Sequence, residues 1–129
     1  MTLGVYLLRL LPGVRLAQLG FLACAAAALW LWAEPGAPLA CIAMAGAMGL
    51  VQGGSFAAVP QLNGSAVARA QSSGAMAQMG NLGNTIGTPL MVLCLSLGGF
   101  GGMMATLLVL FLCGAAAHMF LAARRRALA

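Results

Sequence analysis

The chain has 129 residues, of which 63% are hydrophobic and only 5% charged, and its mean hydropathy is +1.03. A soluble domain covers itself with about 25% charged residues; six arginines, no lysine and one acid, Glu34, cannot build a water-facing surface, so the solvent for most of this protein is lipid. The formal charge of +5 does not indicate nucleic acid, because the arginines are scattered over short loops and ends instead of lying among aromatics on one face.

Residues 1–13 come first. Thr2 to Leu11 is apolar but too short to cross a bilayer, and it reads as the tail of a preceding span that closes at Arg9 and Pro12-Gly13; a short interfacial helix is the alternative. Arg9 and Arg15 followed by an apolar stretch also invite comparison with a signal peptide. That stretch runs about eighteen residues, longer than a signal core of about 7–15, and further spans follow, so it is read as retained.

A helix needs about 20 apolar residues to cross the hydrocarbon, and only helices or closed barrels satisfy their backbone groups there. The runs do not alternate as barrel strands do. Residues 14–33, 37–59, 74–97 and 102–123 qualify as spans, followed by a cytoplasmic tail at 124–129. The breaks are Glu34-Pro35-Gly36, then 60–73, then Gly98-Gly99-Phe100-Gly101, with Pro and Gly as ordinary helix punctuation. The expectation is a single all-α integral membrane domain with about four transmembrane helices.

Orientation follows from arginine placement, since loops rich in Arg stay in the cytoplasm. With four spans, Arg9, Arg15, Arg69, Arg124, Arg125 and Arg126 all fall on one side and Glu34 falls on the other. Three or five spans would split them. The arginines thus act as topology anchors, and the chain is expected to be multi-pass in the inner or plasma membrane with both termini cytoplasmic. Trp30 and Trp32 then sit at the outer interface, where amphipathic rings are favoured. Arg124 to Arg126 also favour anionic lipid.

Helices in lipid associate by close packing of small residues. The second span carries Cys41, Ala45, Gly49, Gly53 and Ala57, each four apart, including a GxxxG at Gly49 and Gly53; this face is expected to meet another helix closely. The third span is thinned by Gly74, Gly80, Gly83 and Gly87 and interrupted by Pro89. It also carries Gln78, Asn81, Asn84, Thr85 and Thr88, with 78, 81, 85 and 88 sharing a face. Amides in hydrocarbon are costly unless they face protein or water, so this face either lines a cavity or bonds to a neighbouring helix. Gln52 and Ser55 on the second span repeat the signal more weakly.

His118, late in the fourth span, could relay protons, but a lone histidine there is ordinarily a packed or interfacial residue. Cys24, Cys41, Cys94 and Cys113 lie in apolar runs, without CxxC pairing or metal-ligand spacing, and read as small packing residues. No nucleophile triad, phosphate loop, metal cluster or intramembrane acid is present in the sequence, so neither an enzyme, a cofactor nor a metal site is expected.

The stretch from Gly53 to Leu90, GGSFAAVPQLNGSAVARAQSSGAMAQMGNLGNTIGTPL, resembles the tenth helix, following loop and eleventh helix of major facilitator superfamily transporters, drug-efflux members above all. The first span would correspond to the ninth helix and the fourth to the twelfth. The superfamily's halves are related as parallel repeats, so the eleventh helix corresponds to the fifth, which in efflux members carries a glycine–proline signature. Gly74, Gly83 and Gly87 have its spacing, with Thr88 intervening before Pro89. The resemblance implies transmembrane transport of a small molecule by a C-terminal portion of such an exporter. It covers a third of the usual twelve helices, so a truncated product or fragment is expected. Gln78, Asn81 and Thr85 would offer hydrogen bonds to substrate, and the glycines would let helices rock closely.

Two other readings compete. A four-helix exporter working as a dimer, like small multidrug resistance proteins, suits the length but lacks the acid within the first span. A non-transporting membrane subunit or a remnant is the third. The expected partners are the lipid bilayer, an unidentified small molecule, and the absent transporter helices or another membrane protein.

Overall fold

The computed structural model describes residues 10–128 and is all-helical over them: α1 (Gly13–Ala33), α2 (Pro38–Leu62) and α3 (Ala66–Leu128). All three helices are long and apolar enough to cross a membrane. Arg9 and most of the Thr2–Leu11 segment lie outside the described residues.

The α1–α2 turn follows from its residues. Pro35 fixes its own φ, Gly36 takes φ +80°, and the Ala37 N–H donates to the Glu34 carbonyl at 3.2 Å. This is a type II turn with Pro and Gly at the two central positions that favour them. Pro38 then opens α2, where its missing N–H costs nothing. At the opposite end, the Gly13 N–H, which has no partner within its own helix, donates to Gln61 Oε1 at 2.9 Å.

α1 and α2 pack antiparallel through backbone-to-backbone approach. On α1 the buried seam is Gly13, Ala17, Gly20, Cys24 and Ala27, spaced alternately by four and three. A Cβ added at Gly13 would lie 2.6 Å from the Ala58 nitrogen, at Gly20 2.7 Å from the Val51 nitrogen, and at Gly54 2.6 Å from the Ala17 nitrogen. Only glycine permits that proximity at these positions. The α2 seam is therefore Ala40, Ala47, Gly54 and Ala58. It differs from the expected ladder: Cys41, Ala45, Gly49 and Gly53 are exposed, and a Cβ at Gly49 or Gly53 would meet nothing within 4 Å. The reason is geometric. Successive residues point about 100° apart on a helix, and α2 carries small residues around most of its circumference, so four-residue spacing did not single out one face.

The expected break at 60–73 contracts to residues 63–65. Pro60 stays inside α2, removing one helical hydrogen bond near the helix end, and Ser65 Oγ accepts from the Ala68 N–H at 3.1 Å, capping α3. α3 is 63 residues long, which as one straight helix would extend about 95 Å. It does not run straight. Gly99 adopts φ 61°, ψ −162°, a combination open to glycine alone, and it divides α3 into a first limb, residues 66–98, and a second limb, residues 100–128. Ser72 of the first limb and Arg125 of the second line one cavity, which requires the chain to reverse between them. The Thr106 hydroxyl lies 3.4 Å from Cys94 Sγ across the reversal.

α1 is the centre of the bundle. The second limb follows its length: a Cβ at Gly101 would approach the Trp32 indole at 3.8 Å, one at Gly114 would press on the Phe21 ring, and the Gln18 amide donates to the His118 carbonyl at 3.1 Å. The first limb is peripheral. From residue 74 to 98 it has no buried residue, and its contact with α2 is sparse. The connections also sort the charges. Arg15, Arg125 and Arg126 share a cavity with Pro12 and Leu62, and Arg69 Nε donates to the Asn63 carbonyl at 2.9 Å in the adjoining loop. Glu34 sits at the far end of α1, accepting from Trp30 Nε1 at 3.1 Å.

Candidate functional site

The antiparallel course of α2 and the first limb of α3 brings the middle of each against the other. Gln52 and Ser55 from α2 meet Asn81 and Asn84 from the limb around an open groove of about 330 Å³, walled otherwise by Phe56, Met76 and small residues. Gln52 and Asn84 also border a second cavity of about 330 Å³, which reaches inward to Cys24 on α1 and Phe111 on the second limb. Asn84 further borders a groove of about 370 Å³ between the two limbs, with Gly83, Gly87 and Thr88. One amide thus stands where three cavities meet.

The polar candidates divide accordingly. Gln52, Ser55, Asn81 and Asn84 come together, and Thr88 lies a turn further along, in the groove between limbs. Gln78 and Thr85 are exposed and border none of these three cavities. Thr85 instead donates its hydroxyl proton to the Asn81 carbonyl at 2.9 Å, leaving only its lone pairs to offer. Gly83 and Gly87 have open space where a Cβ would be, so they widen the groove and pack no helix among the described residues. Pro89 lies within the limb one residue beyond Thr88.

Chemically, the groove presents amides that donate and accept, a serine hydroxyl, and apolar walls of Met76 and Phe56. It carries no charge. Among the described residues no group of His, Cys, Asp and Glu is placed to hold a metal ion.

Gln18, half-buried between α1 and the second limb, is a further polar contact that the sequence does not single out. Its amide ties α1 to the second limb at His118, whose ring packs on Phe21 with centroids 5.2 Å apart. The available signal was a lone amide inside an otherwise apolar run.

Comparison of the chain with known protein families, with curated proteins and with solved structures finds no match.

Proposed function

We propose that this chain forms part of the substrate pathway of a multi-pass transporter in the plasma membrane, arranged like the C-terminal helices of a major facilitator superfamily exporter. In this reading α1, α2 and the two limbs of α3 each cross the bilayer. The arginine-bearing end faces the cytoplasm and Glu34 faces outward, as the positive-inside rule requires.

The observation that carries the reading is the meeting of Gln52, Ser55, Asn81 and Asn84 around an uncharged groove away from the helix ends, on a limb that the other described residues leave largely uncovered. An unpartnered amide facing hydrocarbon costs about 1–3 kcal/mol by mutational measure. Six amide or hydroxyl side chains on one span (Gln78, Asn81, Asn84, Thr85, Thr88 and Ser96) are tolerable where further helices and a water-filled path cover them. With no charge in the groove, the substrate class it fits is a neutral or weakly polar organic molecule carrying hydrogen-bonding groups. Glu34 lies at the α1–α2 turn and gives the dimeric four-helix exporter no acid within a span.

The test is transport by the chain together with its partner helices, comparing the parent protein with Asn84→Leu and Asn81→Leu at matched membrane levels. Each replacement removes a hydrogen bond worth about 1 kcal/mol and adds bulk to the groove, so efflux should fall at least several-fold. Unchanged transport of every substrate tried would remove the pathway role.

A further inference from the structure

A second feature lies at the other end of the bundle from Glu34 and apart from the polar groove. Arg15 on the first turn of α1 and Arg125 and Arg126 on the last turns of α3 line one cavity of about 370 Å³, with the Gln18 amide deeper along α1 and Val14 and Leu62 as apolar walls. Guanidinium groups remain protonated at every physiological pH, so three positive charges converge there. The ordinary reason for arginines at a helix C-terminus is to complement the carbonyl end of the dipole. That accounts for Arg125 and Arg126 but not for Arg15, which comes from the opposite pole of a different helix. Like charges gathered on one cavity repel unless an anion lies among them.

The chain supplies no such anion from an acidic side chain. Glu34 is its only one, and it lies a full helix length away, about 30 Å along α1. That separation is several times the screening length of about 8 Å at physiological salt. Arg126 spends one donor on the Ala122 carbonyl at 3.4 Å, leaving the rest of its guanidinium to face the cavity. The cavity adjoins a second, partly open one lined by Ser72 and His118, sharing Val14, Leu62 and Arg125 with it. Charged donors and apolar side chains lining one open cavity match a phosphate ester attached to hydrocarbon.

We propose that the cleft formed by Arg15, Arg125, Arg126 and Gln18 binds a phosphate-bearing anion, the headgroup of an anionic phospholipid in the leaflet at the arginine end. Arg15 and Arg125 hold the phosphate oxygens from two helices, and the glycerol and upper acyl chain rest on Val14 and Leu62. The bound lipid ties the start of α1 to the end of α3. The transport reading is not required for this: the site depends only on insertion in a membrane.

The structure supplies its own control. Arg124 carries the same charge one residue away but lies over the Phe120 ring, 6.0 Å from its centroid, and does not line the cavity. The full chain in detergent micelles is titrated with short-chain phosphatidylglycerol and, separately, phosphatidylcholine, counting bound lipids by native mass spectrometry. Saturable binding of one phosphatidylglycerol is expected, weakened about five-fold by R15Q or R125Q and little changed by R124Q. Arg15→Lys and Arg125→Lys keep the charge and separate lost binding from lost folding: they should retain much of the affinity. Displacement of the lipid by millimolar inorganic phosphate would support the phosphate site while identifying free phosphate as a competing source. Equal weakening by R124Q and R125Q would reduce the effect to diffuse attraction and overturn the proposal. Equal binding of phosphatidylcholine would do the same.

Discussion

Gly53 and Gly54 are chain neighbours in α2 that point about 100° apart, and they are predicted to respond oppositely to alanine. At Gly54 the new Cβ would lie 2.6 Å from the Ala17 nitrogen, 2.9 Å from the Gly13 carbonyl oxygen and 3.1 Å from Ala17 Cα. All three atoms are backbone, so no side chain can swing aside. Restoring ordinary contact at about 3.5 Å moves α1 and α2 apart by roughly 1 Å. The motion would propagate to Gly13 and Gly20, where the same close approach recurs. Overpacking of this kind costs about 1–3 kcal/mol. At Gly53 the new methyl meets nothing within 4 Å. Both substitutions gain the same helix propensity, about 1 kcal/mol over glycine, so the difference between the two variants isolates the clash. Gly54→Ala should be less stable than Gly53→Ala by about 1–3 kcal/mol. The assay is unfolding of the purified chain in mixed micelles by increasing SDS fraction, followed by circular dichroism and tryptophan fluorescence. Equal stability, or Gly53→Ala as the weaker protein, would refute the seam described here and return the helix contact to the GxxxG face.

The reversal in α3 gives two further expectations. Gly99→Ala must place a Cβ at a backbone conformation reserved for glycine and should cost about 1–3 kcal/mol, whereas Gly98→Ala, helical and with open space around it, should be neutral or slightly stabilising; unfolding of both variants in micelles checks this. Thr106→Cys puts a thiol beside Cys94, and mild oxidation should bridge the two with a loss of 2 Da; a straight helix would hold those positions about 18 Å apart, beyond the reach of a disulfide. Reporter fusions at Gly64 and after Ala129 should both read as cytoplasmic, and one at Gly36 as external; a Gly64 fusion on the outside would sink the four-crossing arrangement. A photo-crosslinking side chain at Gln78 should capture protein in native membranes, and capture of lipid alone would remove the case for covering helices.

The all-helical class and the apolar runs were legible because they rest on properties that no neighbour can override. Hydropathy marks the apolar runs, and Pro35-Gly36 and Gly99 punctuate them through their own backbone chemistry. Helix faces were not legible in the same way. A face is chosen by what lies opposite, and α2 offers small residues in almost every direction, so Gly54, without a four-residue partner in the expected ladder, took the contact through complementarity to Gly13 and Ala17. The extent of the loops also exceeded what sequence could mark. Pro60 and the stretch before Gly74 read as breakers, yet helix continues wherever its hydrogen bonds cost less to keep than to expose.

The polar limb illustrates the same distinction with a functional consequence. Spacing at 78, 81, 85 and 88 predicts one face that lines a cavity or bonds to a neighbouring helix; in the structure Asn81 and Asn84 line the groove with α2 while Gln78 and Thr85 are exposed outside it. Thr85 is satisfied by its own helix, but Gln78 has no comparable local bond among the described residues. A Gln amide held in acyl chains loses its hydrogen bonds to water, at about 1–3 kcal/mol by mutational measure, and no side chain of α1, α2 or the second limb is placed to return them. Polar groups on two sides of one limb therefore call for polar surroundings on both: the groove with Gln52 and Ser55 on one side, and on the other a surface that none of the described residues provides. In the proposed transporter, a limb so placed would stand between two parts of a larger helical assembly. That is where a transport pathway between two helical halves would need its hydrogen-bonding side chains.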